Sequence, residues 1–209
     1  MIIDEAHNLI DTITAIHTIT IHSQQMRTAL SQLSQYLQRY KSRLLGKNIV
    51  YIKQIMTIIK SAIGLLESHT QKNSPSTKEK ILTVNDFVHE LGIDHLNMFK
   101  IETFLKESKL ARKLNGFLDM KKQEMQEKGT GAEHDINSNR SESSIPTLSQ
   151  IESFLMALTN ADKDGRILVA TESGDTYVQY MLLNPANEFK EIVEEARSVV
   201  LAGGTMEPV

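Results

Sequence analysis

Near the start of this chain two carboxylates and an imidazole stand close together: Asp4, Glu5 and His7, directly after the apolar pair Ile2-Ile3. An acidic pair at the end of an apolar strand suits chemistry on a nucleotide's phosphates, with Asp4 holding Mg2+ and Glu5 orienting the attacking water. His7 is then placed to couple that chemistry to neighbouring elements. The plainer alternative is a helix start at which Asp4 serves only as a cap.

The far end of the chain supplies a partner for this motif. Val199 to Ala202 reads as a buried strand that empties into Gly203-Gly204-Thr205, a turn whose glycines allow backbone conformations that other residues resist. Paired in one parallel sheet with the strand before Asp4, it sets both motifs at the carboxyl ends of neighbouring strands, where open α/β sheets bind ligands. Gly203, Gly204 and Thr205 are therefore candidate coupling residues, Thr205 through a hydrogen bond to the acidic motif.

The elements between the motifs are mostly helical in pattern. Ile16 to Ile21, rich in β-branched residues, reads as a short strand. Met26, Leu30, Leu33, Leu37, Tyr40 and Leu44 then form one stripe, ended by Gly46, and Ile49, Ile52, Ile55, Ile59, Ile63 and Leu66 form a second. A short connection at Gly46–Asn48 makes the two an antiparallel hairpin. After a polar break from Gln71 to Lys80, shorter helices are expected over Val84–Leu91 and Leu96–Leu110, separated at Gly92. Residues 121–145 hold too few apolar side chains to fold alone and read as a mobile loop. Thr147-x-x-Gln150 opens another helix, Arg166–Ala170 and Tyr177–Leu183 form a hairpin about Ser173-Gly174-Asp175, and Asn184-Pro185 starts a last helix that runs to Ala196.

The net charge of −3 hides an asymmetry. No Asp or Glu occurs from Thr12 to Leu66, a stretch that carries Arg27 together with Arg39, Lys41, Arg43, Lys47, Lys53 and Lys60. The last six are candidate nucleic-acid contacts, since clustered cations suit a polyanion; the alternative is a set of solvated helix faces. Lys100, Lys106, Lys109, Arg112 and Lys113 form a second basic cluster, partly offset by Glu102 and Glu107.

There is no cysteine, so neither a disulfide nor a thiolate-bound cluster can form from these residues. No Gly-x-x-x-x-Gly-Lys-Ser/Thr loop occurs, and the histidines lack zinc-ligand spacing. No apolar run is read as a membrane span, and no secretory leader is read either. The short run before Asp4 reads as a truncated strand, so Met1 need not be a natural start. On this reading the isolated chain is inactive as an ATPase. A rival reading is a non-enzymatic helical module that binds nucleic acid or protein.

Ile2-Ile3-Asp4-Glu5-Ala6-His7-Asn8-Leu9-Ile10-Asp11 and Ala202-Gly203-Gly204-Thr205-Met206-Glu207-Pro208 resemble motifs II and III of the iron–sulfur DNA helicases of superfamily 2 related to XPD and FANCJ. Gly203 stands where XPD-like proteins carry serine, which is similar to the ChlR-type branch. Asn85-Asp86-Phe87, Arg112 to Phe117 and Leu182-Leu183-Asn184-Pro185 also resemble landmarks of the ChlR-type insertion. The resemblance implies an α/β fragment: motor-domain pieces at 1–11 and 196–209, of the RecA-like kind, bracketing a mostly helical Arch-type domain with a small β-sheet at 12–195. It further implies a parent that uses ATP and Mg2+ to unwind DNA in the 5′-to-3′ direction, in genome maintenance. The parent's 4Fe-4S cluster would be bound by cysteines outside this chain. Single-stranded or forked DNA, replication or cohesion proteins as partners, no membrane association and a nuclear location follow from the same resemblance.

Overall fold

Apolar residues three and four positions apart give the protein its body, because such stripes can be buried only by packing helices against one another or on a sheet. The computed structural model describes residues 1–72, 79–127, 147–159, 164–172, 174–184 and 186–203. In chain order the elements are β1 (Ile2–Ile3), a 3-10 turn (Ala6–Asn8), α1 (Leu9–His17), β2 (Ile19–His22), α2 (Ser23–Tyr40), α3 (Gly46–Lys72) and β3 (Glu79–Thr83). There follow α4 (Val84–Glu90), α5 (Met98–Ser108), α6 (Leu110–Glu127), α7 (Thr147–Ala157), β4 (Gly165–Glu172), β5 (Asp175–Leu182), α8 (Ala186–Glu195) and β6 (Val200–Leu201).

The strands form two separate sheets. β2, β5, β4 and β3 pair antiparallel in that spatial order, and β1 pairs with β6 in parallel. Alternation along the larger sheet sends Ile21, Ile167, Val169, Val178 and Tyr180 to one face, where they join Met26 and Leu33 of α2, Ile52 and Ile55 of α3, and Ile151, Phe154 and Leu155 of α7 in one core. Phe87 of α4 meets Phe154 edge to face, with ring centres 6.0 Å apart. Gly174, at φ 88°, supplies the left-handed residue that the tight β4–β5 connection requires. The Asn184 side chain accepts from the Ala186 amide at 3.1 Å and so caps α8.

The observed elements depart from the sequence expectations in several places. The expected strand over Ile16 to Ile21 is shorter, because α1 runs to His17 and places that histidine on a helix. The β-branched run is accommodated there as Thr12 and Thr18 turn their hydroxyls back to the carbonyls of Asn8 and Thr14, both at 2.8 Å. Gly46 starts α3 instead of ending α2. The Tyr40 carbonyl accepts from both Arg43 and Leu44, at 2.9 and 3.0 Å, which tightens the chain into a turn several residues earlier than expected. The boundary read at Asp11 falls inside α1.

The expected loop at 121–145 is helical in its first part, since α6 continues to Glu127. Side-chain ties to α2 hold this polar end: Lys121 donates to Gln35, and Arg39 pairs with Glu124 at 3.4 Å. The remainder of that loop, from 128, lies outside the described residues. The expectation of no membrane-length apolar run is also corrected, for Gly46–His69 of α3 is long and apolar enough by length and composition to cross a bilayer. Here the same stripe serves the core, burying Ile52, Ile55, Ile58, Ile59, Ala62, Ile63 and Leu66, while Lys53 and Lys60 remain exposed.

One half-buried carboxylate locks two helices. Glu152 of α7 accepts from the Ala111 amide at 2.9 Å, capping the first turn of α6 from outside that helix. Burial raises its affinity for a proton more than the amide and Lys109 lower it. A carboxyl raised above its unfolded value stabilises the fold fully below the unfolded value, and that contribution is lost as pH rises through the folded one. Glu152→Gln keeps an oxygen for Ala111 and has no charge to bury. Urea unfolding should therefore show the variant gaining on wild type as pH rises above the usual carboxylate range, and a difference that does not change with pH would contradict the account.

Candidate functional site

β1 and β6 run side by side, with Ile2 opposite Val200 and Ile3 opposite Leu201. The Val200 amide donates to the Met1 carbonyl at 3.0 Å and the Ala202 amide to the Ile3 carbonyl at 2.8 Å. The ladder then reverses direction, as the Ala6 amide donates to the Ala202 carbonyl at 2.8 Å. Ala202 thus clamps both sides of Asp4-Glu5, and the two strand-end motifs meet as the sequence pattern proposes. The expected burial of this strand is not seen: Val200 and Leu201 are about half exposed, as their only strand partner among the described residues is β1.

Asp4 and Glu5 leave the strand into solvent, and Asp4 Oδ1 accepts the Glu5 amide at 2.9 Å. Glu5 itself has φ 52° and ψ 41°, a left-handed conformation rare for a residue with a side chain. Such backbone costs on the order of 1–3 kcal/mol and persists only where its surroundings enforce it. Here the Ala6–Ala202 bond fixes one side and the Asn8 amide, donating to the Glu5 carbonyl at 3.0 Å, fixes the other. The bend also brings His7 Nδ1 within 3.2 Å of Glu5 Oε2. The result is an aspartate with one oxygen held by the backbone and one open, beside a glutamate steadied by an imidazole. Asp4 is therefore suited to hold a hydrated divalent cation through its open oxygen, since such ions bind through few carboxylates and keep several waters. Gly203 is half-buried just beyond the ladder, whereas Gly204 and Thr205 lie outside the described residues.

The basic candidates do not form one surface. Arg39, Lys41, Arg43 and Lys47 gather at the tip of the α2–α3 hairpin, whereas Lys53 and Lys60, seven residues apart, share a different face of α3. Arg39 is paired with Glu124 and Arg27 with Glu67, so acids from α6 and α3 neutralise part of the run. Lys41, Arg43, Lys53 and Lys60 are exposed and have no ion pair among the described residues. Lys47 lies 5.9 Å from the centre of the Tyr51 ring.

Sequence reading placed Tyr40 in the α2 stripe but missed that aromatic rings cluster beside this tip. Tyr36, Tyr40 and Phe117 cluster with ring centres 5.0 to 5.8 Å apart, at a cleft of about 460 Å³ between α2 and α6. Tyr51 stacks on Phe104 at 5.0 Å. The available signal was spacing: Lys47 precedes Tyr51, and Lys100 precedes Phe104, by one helical turn.

No family model matches the chain. Curated relatives do, along its whole length. It is 39% identical to the ATP-dependent DNA helicase chl1 of Aspergillus niger and 42% identical to that of Neosartorya fischeri, covering 22% and 23% of those proteins. It is 37% identical to the mouse ATP-dependent DNA helicase DDX11, of which it covers 26%. The chain spans about a quarter of the length of the relatives it matches. Over all 209 residues the chain is thus similar to one segment of the ATP-dependent DNA helicases chl1 and DDX11.

Proposed function

We propose that this chain is the part of an ATP-dependent DNA helicase in which the acidic motif of the ATP site and the glycine turn that couples it to movement bracket a helical lobe of the Arch type. The observation that carries the proposal is the Ala6–Ala202 hydrogen bond at 2.8 Å, which makes the two motifs one backbone unit. The parent hydrolyses ATP to separate DNA strands, in the 5′-to-3′ direction, in genome maintenance within the nucleus. Single-stranded or forked DNA is its substrate, and replication or cohesion proteins are its partners.

In this reading Asp4 holds Mg2+, which when bound neutralises charge on the transferring phosphate. Glu5 accepts a hydrogen bond from the attacking water and turns its lone pair toward phosphorus, with its carboxylate kept in place by His7. Gly203, Gly204 and Thr205 carry the state of that site into the strand. A thiolate-bound iron–sulfur cluster finds no ligand here, as the chain has no cysteine, so such a cluster belongs to other parts of the parent.

Replacing Asp4 by Asn tests the assignment. The amide keeps an oxygen for the Glu5 N–H but loses the charge, so Mg2+-dependent nucleotide binding by the parent should weaken roughly tenfold or more. Titration of nucleotide with and without Mg2+ reads this directly. A variant with wild-type Mg2+ dependence would remove Asp4 from the ion's ligand set.

A further inference from the structure

Beside the hairpin tip, α3 and α5 leave a groove of about 350 Å³ lined by Lys47, Asn48, Tyr51, Lys100, Thr103 and Phe104, with Glu107 as its one acid. Its wall is aromatic: Phe104 is buried, and Tyr51 is stacked on it at 5.0 Å with their planes 22° apart. Two ammonium groups and the small polar side chains of Asn48 and Thr103 surround that wall. Leading up to it, the turn between α2 and α3 presents Lys41 and Arg43 to solvent, both without an ion pair among the described residues.

We propose that this groove is a base-binding subsite for single-stranded nucleic acid, with Lys41 and Arg43 holding backbone phosphates while a base enters against Tyr51. The proposal rests on the DNA-processing reading above and deepens it by naming where the strand touches the lobe. Three observations select the occupant. The tip has four cations within nine residues, Arg39 to Lys47, on a stretch with no acid, which suits a polyanion. The groove couples ammonium groups to an aromatic surface, the combination that serves single strands without regard to sequence, because every base has a stacking face. Lys47, now over the Tyr51 ring at 5.9 Å, has a flexible stem and can leave the ring for a phosphate as a base arrives. A duplex, whose bases are already stacked on one another, gains nothing from such a wall. An acidic protein would use the cations and leave the groove empty.

The test uses the 209-residue chain and two probes, an oligothymidylate and the same backbone made of abasic sites. The chain should bind the intact strand roughly tenfold more tightly than the abasic one, Tyr51→Ala should abolish that preference, and Tyr51→Phe should keep it. Changing Lys41 and Arg43 to Glu should flatten the slope of log affinity against log salt by about 0.7 for each phosphate no longer engaged. Loss of Tyr51 can loosen α3 from α5, so a measurement on unaltered protein stands beside it. A bromodeoxyuridine-substituted strand, irradiated on the wild-type chain, should crosslink to peptides containing Tyr51 or Phe104. Equal affinity for intact and abasic strands, or crosslinks confined to other elements, would overturn the subsite. ATP turnover by the parent does not enter these readouts, so the subsite can fail while the assignment of Asp4 and Glu5 stands, and the reverse holds too.

Discussion

In the full-length parent, Glu5→Gln should lower ATP turnover roughly 10²-fold or more while leaving nucleotide binding largely intact. Gln has the size of Glu and can keep a hydrogen bond to His7, which lies 3.2 Å from the Glu5 carboxylate, so the strained turn is not asked to change. What the amide cannot do is accept a proton from the water that attacks phosphorus. Binding depends on charge around the phosphates, to which Asp4 and the bound ion contribute, and so survives. Single-turnover hydrolysis and equilibrium binding of a labelled nucleotide separate these two quantities. Turnover near that of wild type would show that the acidic pair at the β1 end is not the water-handling part of the site. Equal losses of binding and turnover would point to collapse of the left-handed bend at Glu5 instead.

The second large effect concerns the lobe. Ile55, in the middle of α3, is 0% exposed and belongs to the core shared by α2, α3, α7 and the four-stranded sheet. Ile55→Ala should cost about 2–5 kcal/mol of unfolding free energy, through reduced burial and through the cavity left in a tightly packed layer. Val50→Ala, on the same helix at a site 53% exposed, should fall within about 0.5 kcal/mol of wild type. Denaturant midpoints at constant slope measure both. Similar costs at the two positions would mean that α3 is held by its intrinsic helicity and not by the core.

How much of this is legible in the residues follows from where the physics is local. The two long stripes are readable because Leu33, Ile52 and Ile55 are buried for the reason their spacing suggests. The parallel pairing of the terminal strands is readable because each is an apolar run ending in a polar or glycine turn. What escapes depends on partners distant in sequence. The α6 extension past Lys121 exists because Gln35 and Arg39 of α2 meet it, and nothing in the polar stretch itself announces that. The helical course of Thr12 to His17 sets hydroxyl back-bonding against β-branched preference, a contest that propensity alone decides the wrong way. The left-handed bend at Glu5 is invisible in the sequence, since its causes, the Ala202 carbonyl and the following turn, are tertiary. The basic run is legible as composition only. Its division into a tip and a separate α3 face depends on where the hairpin turns.

Because β1 and β6 are neighbours in register, the chain leaves the acidic site and returns to it at almost the same point. An insert whose two ends meet can be lengthened, shortened or exchanged without moving what it is attached to, just as domains are grafted at adjacent termini. The lobe between these strands is in that sense a replaceable part. Its surface is free to diverge under demands quite unlike those on the acidic turn, so long as the Ala6–Ala202 clasp still closes.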